Sequence, residues 1–179
     1  NPICFGAPTG KVPFIFDTST SIINRGKIRR AQKFGEKIPY GVALDKTGKI
    51  TTDAKKALQG TQLPIAGFKG SGLAWMVDIL SGVITGSSHG GKTKDPFDDF
   101  SGPQNVGHLF ITINPKIFIG KRFLKEMKKN IQLVKRLPKA KGFNSILYPG
   151  ERKNNMYKKN LKKDIPIPQK ILKEINDLN

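Results

Sequence analysis

Residues 67–84 read Gly67-Phe68-Lys69-Gly70-Ser71-Gly72-Leu73-Ala74-Trp75-Met76-Val77-Asp78-Ile79-Leu80-Ser81-Gly82-Val83-Ile84, a glycine-rich turn running into the most apolar helical pattern of the chain. Leu73, Met76, Val77, Leu80, Val83 and Ile84 recur at helical spacing, which predicts a helix central to the core. The turn ahead of it combines three glycines that let a backbone approach a ligand, a helix start with unpaired N–H donors, and the cation of Lys69. An anionic group such as a cofactor phosphate is stabilised by that set. A plain glycine turn with a solvent-exposed lysine fits the local pattern equally well. The order is neither Gly-x-Gly-x-x-Gly after a strand nor the spacing of a P-loop, so a nucleotide held here belongs to a different fold.

Toward the amino end, residues 1–8 and 12–16 are apolar runs separated by Pro8-Thr9-Gly10-Lys11, which predicts a hairpin or a neighbouring strand pair. Asp17-Thr18-Ser19-Thr20-Ser21 follows, and then Ile23, Ile28, Ala31 and Phe34 mark an amphipathic helix. Asp17 has two readings. It caps that helix, or its carboxylate accepts hydrogen bonds from a ribose diol while Thr18 and Ser19 offer hydroxyls and backbone donors. Residues 35–64, rich in glycine, proline and polar residues, are predicted to be irregular surface with at most a short helix at Asp53–Leu58.

Toward the carboxy end, residues 86–107 are predicted to form a mobile loop, and Leu109-Phe110-Ile111-Thr112-Ile113 a strand closed by Asn114-Pro115. Phe123, Met127, Ile131 and Val134 predict a helix, Ile146-Leu147-Tyr148 a short strand, and Pro168 with Ile171, Leu172 and Ile175 a final helix opened by proline. With no internal repeat and no regular strand–helix alternation, the class is α+β rather than doubly wound.

At 179 residues and 37% hydrophobic content the chain is long enough for one domain with a core, or for one large piece of a bigger protein. The net charge of +19 invites a polyanion partner, but lysine supplies most of the 32 cations, whereas base and phosphate readout favours arginine forks. The densest group, Lys153, Lys158, Lys159, Lys162 and Lys163, has no aromatic neighbour beyond Tyr157, so a solvated basic surface is favoured over nucleic-acid binding. The lone Cys4 makes no internal disulfide, and no run suits a bilayer or a leader, so a soluble cytoplasmic protein is expected. Of the two histidines, His89 is expected in an exposed loop and His108 in a buried hydrogen-bonding role. Neither has a nucleophile partner, and no metal site is expected from the spacing.

A longer, ordered set of residues resembles the malate/L-lactate dehydrogenase family: Asn1-Pro2, Phe16 to Ser21, Arg25-Gly26-Lys27-Ile28, Ile38-Pro39 to Gly41, Ala43-Leu44-Asp45, Gly48, Thr51-Thr52-Asp53 and Leu63-Pro64. The resemblance continues through Gly67 to Leu73, Asn105-Val106-Gly107-His108, Ile113-Asn114-Pro115, Pro149-Gly150-Glu151-Arg152 and Ile165-Pro166-Ile167-Pro168. It implies a non-Rossmann α+β fold with a large mixed, mainly antiparallel sheet flanked by helices. It also implies hydride exchange between NAD or NADP and a small 2-hydroxy or 2-oxo acid, in a homodimer.

Carried across by motif, the resemblance implies three cofactor contacts: Asp17, Thr18 and Ser19; Phe68 and Lys69; and Gly150 with Glu151. It implies that the chain is the carboxy-terminal part of one unit, with residues 1–120 mostly cofactor-binding, residues 121–179 closing helices and strand, and the amino-terminal part missing. The family's proton-transferring histidine belongs to that missing part, so no catalytic residue is expected in this chain, and the isolated fragment is expected to be inactive. The competing reading is a lysine-rich remnant of the fold acting as a polyanion-binding or structural protein. Compositional bias without a binding consequence accounts for the charge as well.

Overall fold

The computed structural model describes residues 2–161 and 163–178. Asn1 of the opening motif and Lys162 of the basic cluster lie outside the described residues. The chain divides into two compact units, one built on Asp17–Ile113 with the first few residues, the other on Phe5–Phe16 with the chain from Asn114 onward. The fold is mixed helix and strand, and no helix among the described residues is long and apolar enough to cross a membrane.

Strands β1 (Pro2–Ala7) and β2 (Phe14–Ser19) pair across the predicted turn and form a two-stranded sheet. Asp17, Thr18 and Ser19 therefore end a strand. The helix that follows, α1 (Arg25–Phe34), is capped by Asn24, whose side chain accepts from the Lys27 backbone N–H at 2.8 Å, so Asp17 is no helix cap. The cap moves downstream because Ile22 donates to Leu63 O and Ile65 donates to Thr20 O, which keeps residues 20–22 extended.

Much of the core of the first unit lies where irregular surface is predicted, and the rest on the predicted helix α1 and on Ile23 ahead of it. Residues 38–44 run between two neighbours: Ile38 donates to Thr52 O, Thr51 to Ala43 O and Leu63 to Val42 O. Strands β3 (Ala43–Leu44) and β4 (Thr61–Gln62) pair antiparallel, with Ala43 opposite Gln62. The predicted short helix forms as α2 (Ala54–Leu58), with Asp53 as its cap, and it packs on α1 through Ala54 and Ala57. Together with Ile23, Ile28, Ala31, Ile38, Val42 and Ala43 these alanines make the core, whose alanine part an apolar-run criterion overlooks because alanine barely registers in it. Ile28 is 1% exposed, and replacing it with valine is expected to cost about 1 kcal/mol of unfolding free energy, readable in a urea melt.

Helix α3 (Phe68–Asp78) forms as predicted, and a π-helical turn over Ile79–Val83 continues it. The register change has a local cause: Ser81 Oγ donates back to Val77 O at 2.7 Å, and Gly82 lies hard against His89. Its place in the core is corrected. Gly70 and Val77 are buried, whereas Trp75 is 72% exposed and Leu73, Met76, Ile79, Val83 and Ile84 are exposed too. No described segment covers that face.

Three further expectations differ. Residues 109–113 form no strand and have no ladder partner among the described residues, residues 146–148 form no strand, and the sheets are two-stranded, so the large sheet is not built by this chain's described residues. A strand exists only when a neighbour supplies donors and acceptors, which intrinsic propensity cannot provide. His108 is also exposed, stacked at a tilt on Phe110 with ring centroids 6.2 Å apart, rather than buried.

In the second unit, short α4 (Lys116–Ile119) leads through a 3-10 turn into α5 (Phe123–Lys135), followed by α6 (Glu151–Asn160) and α7 (Gln169–Asn176), which opens at Pro168 as predicted. Ile15 donates to Pro149 O at 3.1 Å and the Tyr148 hydroxyl to Val12 O at 2.9 Å, tying the end of the strand pair to the start of α6.

Candidate functional site

In the first unit the candidate groups are brought together by one short pairing. Ser21 and Pro64 form an antiparallel bridge, flanked by the Ile22–Leu63 and Ile65–Thr20 hydrogen bonds. Running backward from Ser21 and forward from Pro64 leads in the same direction, because the two segments are antiparallel. Asp17–Ser19 and Phe68–Lys69 therefore both lie beyond the same end of that pairing.

The backbone between the pairing and α3 is strained. Ala66 has φ 49° and the helix cap Gly67 φ 59°, so two successive residues take positive φ, and Ala66 does so with a side chain. Left-handed backbone costs a non-glycine residue about 1–2 kcal/mol. Such strain concentrates at binding and switch sites. Gly67 offers no side chain to cap α3, leaving its first N–H groups open to an external anion. Lys69 stands exposed in this first turn and Phe68 is 82% exposed.

At the strand end, Thr18 Oγ1 donates to Ser19 O at 3.1 Å, and Ser19 Oγ donates to Ser21 O at 3.3 Å. With their protons spent locally, these hydroxyls keep lone pairs to offer as acceptors. Asp17 is exposed and adds a carboxylate acceptor. Gly70 has a different role from the one the motif suggests. A Cβ there would stand 1.9 Å from Ile65 O, so this glycine serves helix–backbone packing, not ligand approach.

The third predicted contact belongs to the second unit. Gly150 has φ 97°, and a Cβ on it would meet Pro13 O at 2.7 Å, so the position demands glycine. It lines an open concavity of about 260 Å³ with Val12, Pro13, Ile15, Lys153, Asn154 and Tyr157. The Glu151 carboxylate pairs with Lys135 and accepts from the Tyr148 N–H at 3.3 Å, which anchors the start of α6. A second concavity of about 320 Å³, in the first unit, is lined by residues of α1 and α2 and by Glu36, Lys37 and Asp53. Neither concavity includes Asp17 or Lys69.

Residue charge reasoning along the chain misses an ion cluster that ties the 86–107 loop to α1. Arg29 Nη2 meets both Asp95 and Asp98 at 2.8 Å, Arg25 Nε lies 3.0 Å from Asp95, and the Arg29 guanidinium sits 4.7 Å from the Phe97 ring centroid. The residues are far apart in sequence, so no local pattern signals them. The Phe97 backbone N–H, with Arg29 and Arg25 beside it, holds the Asp95 carboxyl below the ordinary aspartate range. A carboxyl depressed in the folded state stabilises fully above its unfolded pKa, near 3.9, and that contribution fades as the pH falls below this value. Asp95→Asn is expected to destabilise by about 1 kcal/mol at pH 7, with the difference from the native chain vanishing toward pH 2; a melt series across pH reads both. His89, on the same loop, is exposed, with Nδ1 3.0 Å from Ser87 O.

The comparisons agree on kinship. The family model described as malate/L-lactate dehydrogenase matches residues 1–176. The malate/(S)-sulfolactate dehydrogenase of Methanothermus fervidus is 34% identical over 178 residues, covering 99% of this chain and 51% of that protein. The ureidoglycolate dehydrogenase (NAD(+)) of Escherichia coli K12 is 37% identical over 155 residues, 84% of this chain and 43% of that one. Among solved structures, a dehydrogenase from Sinorhizobium meliloti superposes with TM-score 0.90 at 28% identity, over 99% of this chain and 51% of its own. The chain thus spans about half the length of the relatives it matches.

Proposed function

The chain belongs to the malate/L-lactate dehydrogenase family, and from that membership we propose that it is the carboxy-terminal half of an NAD- or NADP-dependent oxidoreductase acting on a malate- or lactate-type 2-hydroxy or 2-oxo acid. The observation that carries the reading is the Ser21–Pro64 bridge, which sets the acceptor-rich strand end and the uncapped, strained start of α3 at one end of a single pairing. The donor set suits a dinucleotide. Asp17, Thr18 and Ser19 accept from ribose hydroxyls, Lys69 and the α3 N–H groups hold phosphate, and Phe68 supplies an apolar face. Gly150 and Glu151, in the second unit, are the third segment that the family resemblance carries over, and the Glu151 carboxylate there is engaged by Lys135 and Tyr148.

The nicotinamide, when bound, supplies the hydride. This chain's part is to orient the dinucleotide. The histidine that moves the proton belongs to the half of the family fold that this chain does not span, and the complete protein works as a homodimer. Lys69→Ala is expected to weaken NADH binding about tenfold at 0.15 M salt, measured by fluorescence titration of the full chain. Unchanged affinity removes Lys69 from the site.

A second reading rests on charge segregation. The second unit carries more than half of the chain's cations and fewer than half of its acids, with α5, α6 and α7 burying no residue. In that reading the helices bind a polyanion, and salt-sensitive retention on RNA or DNA without NADH binding distinguishes it.

A further inference from the structure

We infer that the outward side of α5 is a phosphate-binding ridge for double-stranded nucleic acid, gripping the backbone without reading sequence. The ridge rests on the polyanion reading of the second unit and gives it a partner and a surface. Between residues 121 and 141 every charged side chain except Glu126 is a cation. Helix α5 sorts them by side. Phe123, Met127 and Ile131 recur every fourth residue as a half-buried stripe. Lys125, Lys129, Gln132 and Arg136, at i, i+4, i+7 and i+11, line the opposite side and are exposed, with Lys121 and Lys128 exposed beside them. Lys135, at the margin, is taken up by Glu151, whereas none of the ridge cations forms an ion pair with a described residue. Cation density along the chain peaks elsewhere, at residues 153–163, and the ridge emerges only with the phase of the helix.

The length of the ridge suits a phosphate backbone. From Lys125 to Arg136 it runs about 16 Å, at about 1.5 Å per helical residue. Each strand of a duplex advances one phosphate about every 3.4 Å, so about four lie alongside. Lysine, a point charge on a flexible stem, fits phosphates whose exact positions vary with sequence. A single strand is held on aromatic side chains that stack its bases. The ridge has none, since Phe123, the one aromatic of α5, lies on the half-buried stripe. A duplex keeps its bases stacked inside and needs no such platform. A lipid surface takes up the apolar side of a basic helix, and in α5 that side is the stripe already half-buried.

The test follows binding of the full chain by anisotropy to a labelled short DNA duplex, the RNA duplex of the same sequence and each single strand, and by sedimentation to phosphatidylserine vesicles. At least one duplex is expected to bind at least about tenfold tighter than its single strands, with log K falling against log salt at a slope of about −3 to −4. Lys125→Gln combined with Lys129→Gln should flatten that slope by about two and weaken binding at least about tenfold. Lys55→Gln combined with Lys56→Gln removes the same charge from exposed lysines of α2 and should change affinity by less than about twofold. All four lysines are exposed, so both pairs should melt like the parent chain. A preference for single strands or vesicles, or equal weakening by the two pairs, overturns the ridge and leaves the polyanion reading standing. Binding to none of these overturns both. NADH titration of the same samples decides the cofactor proposal separately.

Discussion

With NADH and pyruvate or oxaloacetate, the 179-residue chain alone is expected to show no turnover above background, and the complementary half to raise the rate by at least about 10²–10⁴-fold. That range is what a positioned general acid or base contributes, and neither histidine of this chain is set up as one. His89 sits in a loop against the Ser87 carbonyl, and His108 is exposed and stacked on Phe110. Most of the apolar face of α3 also meets solvent. Single-turnover measurements following NADH absorbance would detect even slow chemistry. Reduction of either acid by the isolated chain would show that the proton is moved by a group present here, and the division of labour proposed above would fall.

Gly70→Ala is expected to be the most damaging single-methyl change in the candidate site, costing about 3 kcal/mol and lowering the melting temperature by about 6–12 °C. The added Cβ would lie 1.9 Å from Ile65 O and 2.8 Å from Ile65 N, both backbone atoms. Ile65 cannot retreat freely, since its N–H is bonded to Thr20 O at 2.9 Å beside the Ser21–Pro64 bridge. Relief of the clash would have to part α3 from that pairing, so NADH affinity should fall along with stability. Gly72, one turn-step away on the same helix, has open space around its Cβ position. Gly72→Ala should therefore stabilise by about 0.5–1 kcal/mol through helix propensity. Equal melting temperatures for the two variants would refute the packing role assigned to Gly70.

That contrast shows what a motif can and cannot convey. Three glycines before an apolar helix are visible in sequence, and the helix with its open N-terminus follows from them. Which glycine serves packing depends on Ile65, which approaches only because residues 63–65 pair with residues 20–22. Asp17 is similar. As a member of a cap-forming run it reads locally as a helix cap, but the pairing keeps the chain extended for several more residues and hands the cap to Asn24.

The sequence by itself determined the family, the helices α1, α3, α5 and α7 and the candidate contact segments. Those depend on periodicity, capping chemistry and ordered motifs that are local along the chain. Only the tertiary structure decided that the stretch 35–64 joins α1 in the core, that Asp17–Ser19 and Lys69 share one end of a pairing, and that Arg29 grips Asp95 and Asp98. It also decided that residues 109–113, the clearest strand signal in the sequence, have no strand beside them among the described residues. The physical reason is common to all of these: hydrogen-bond partners, burial and ion pairing are properties of two segments at once, and residues near each other in sequence do not specify the second one.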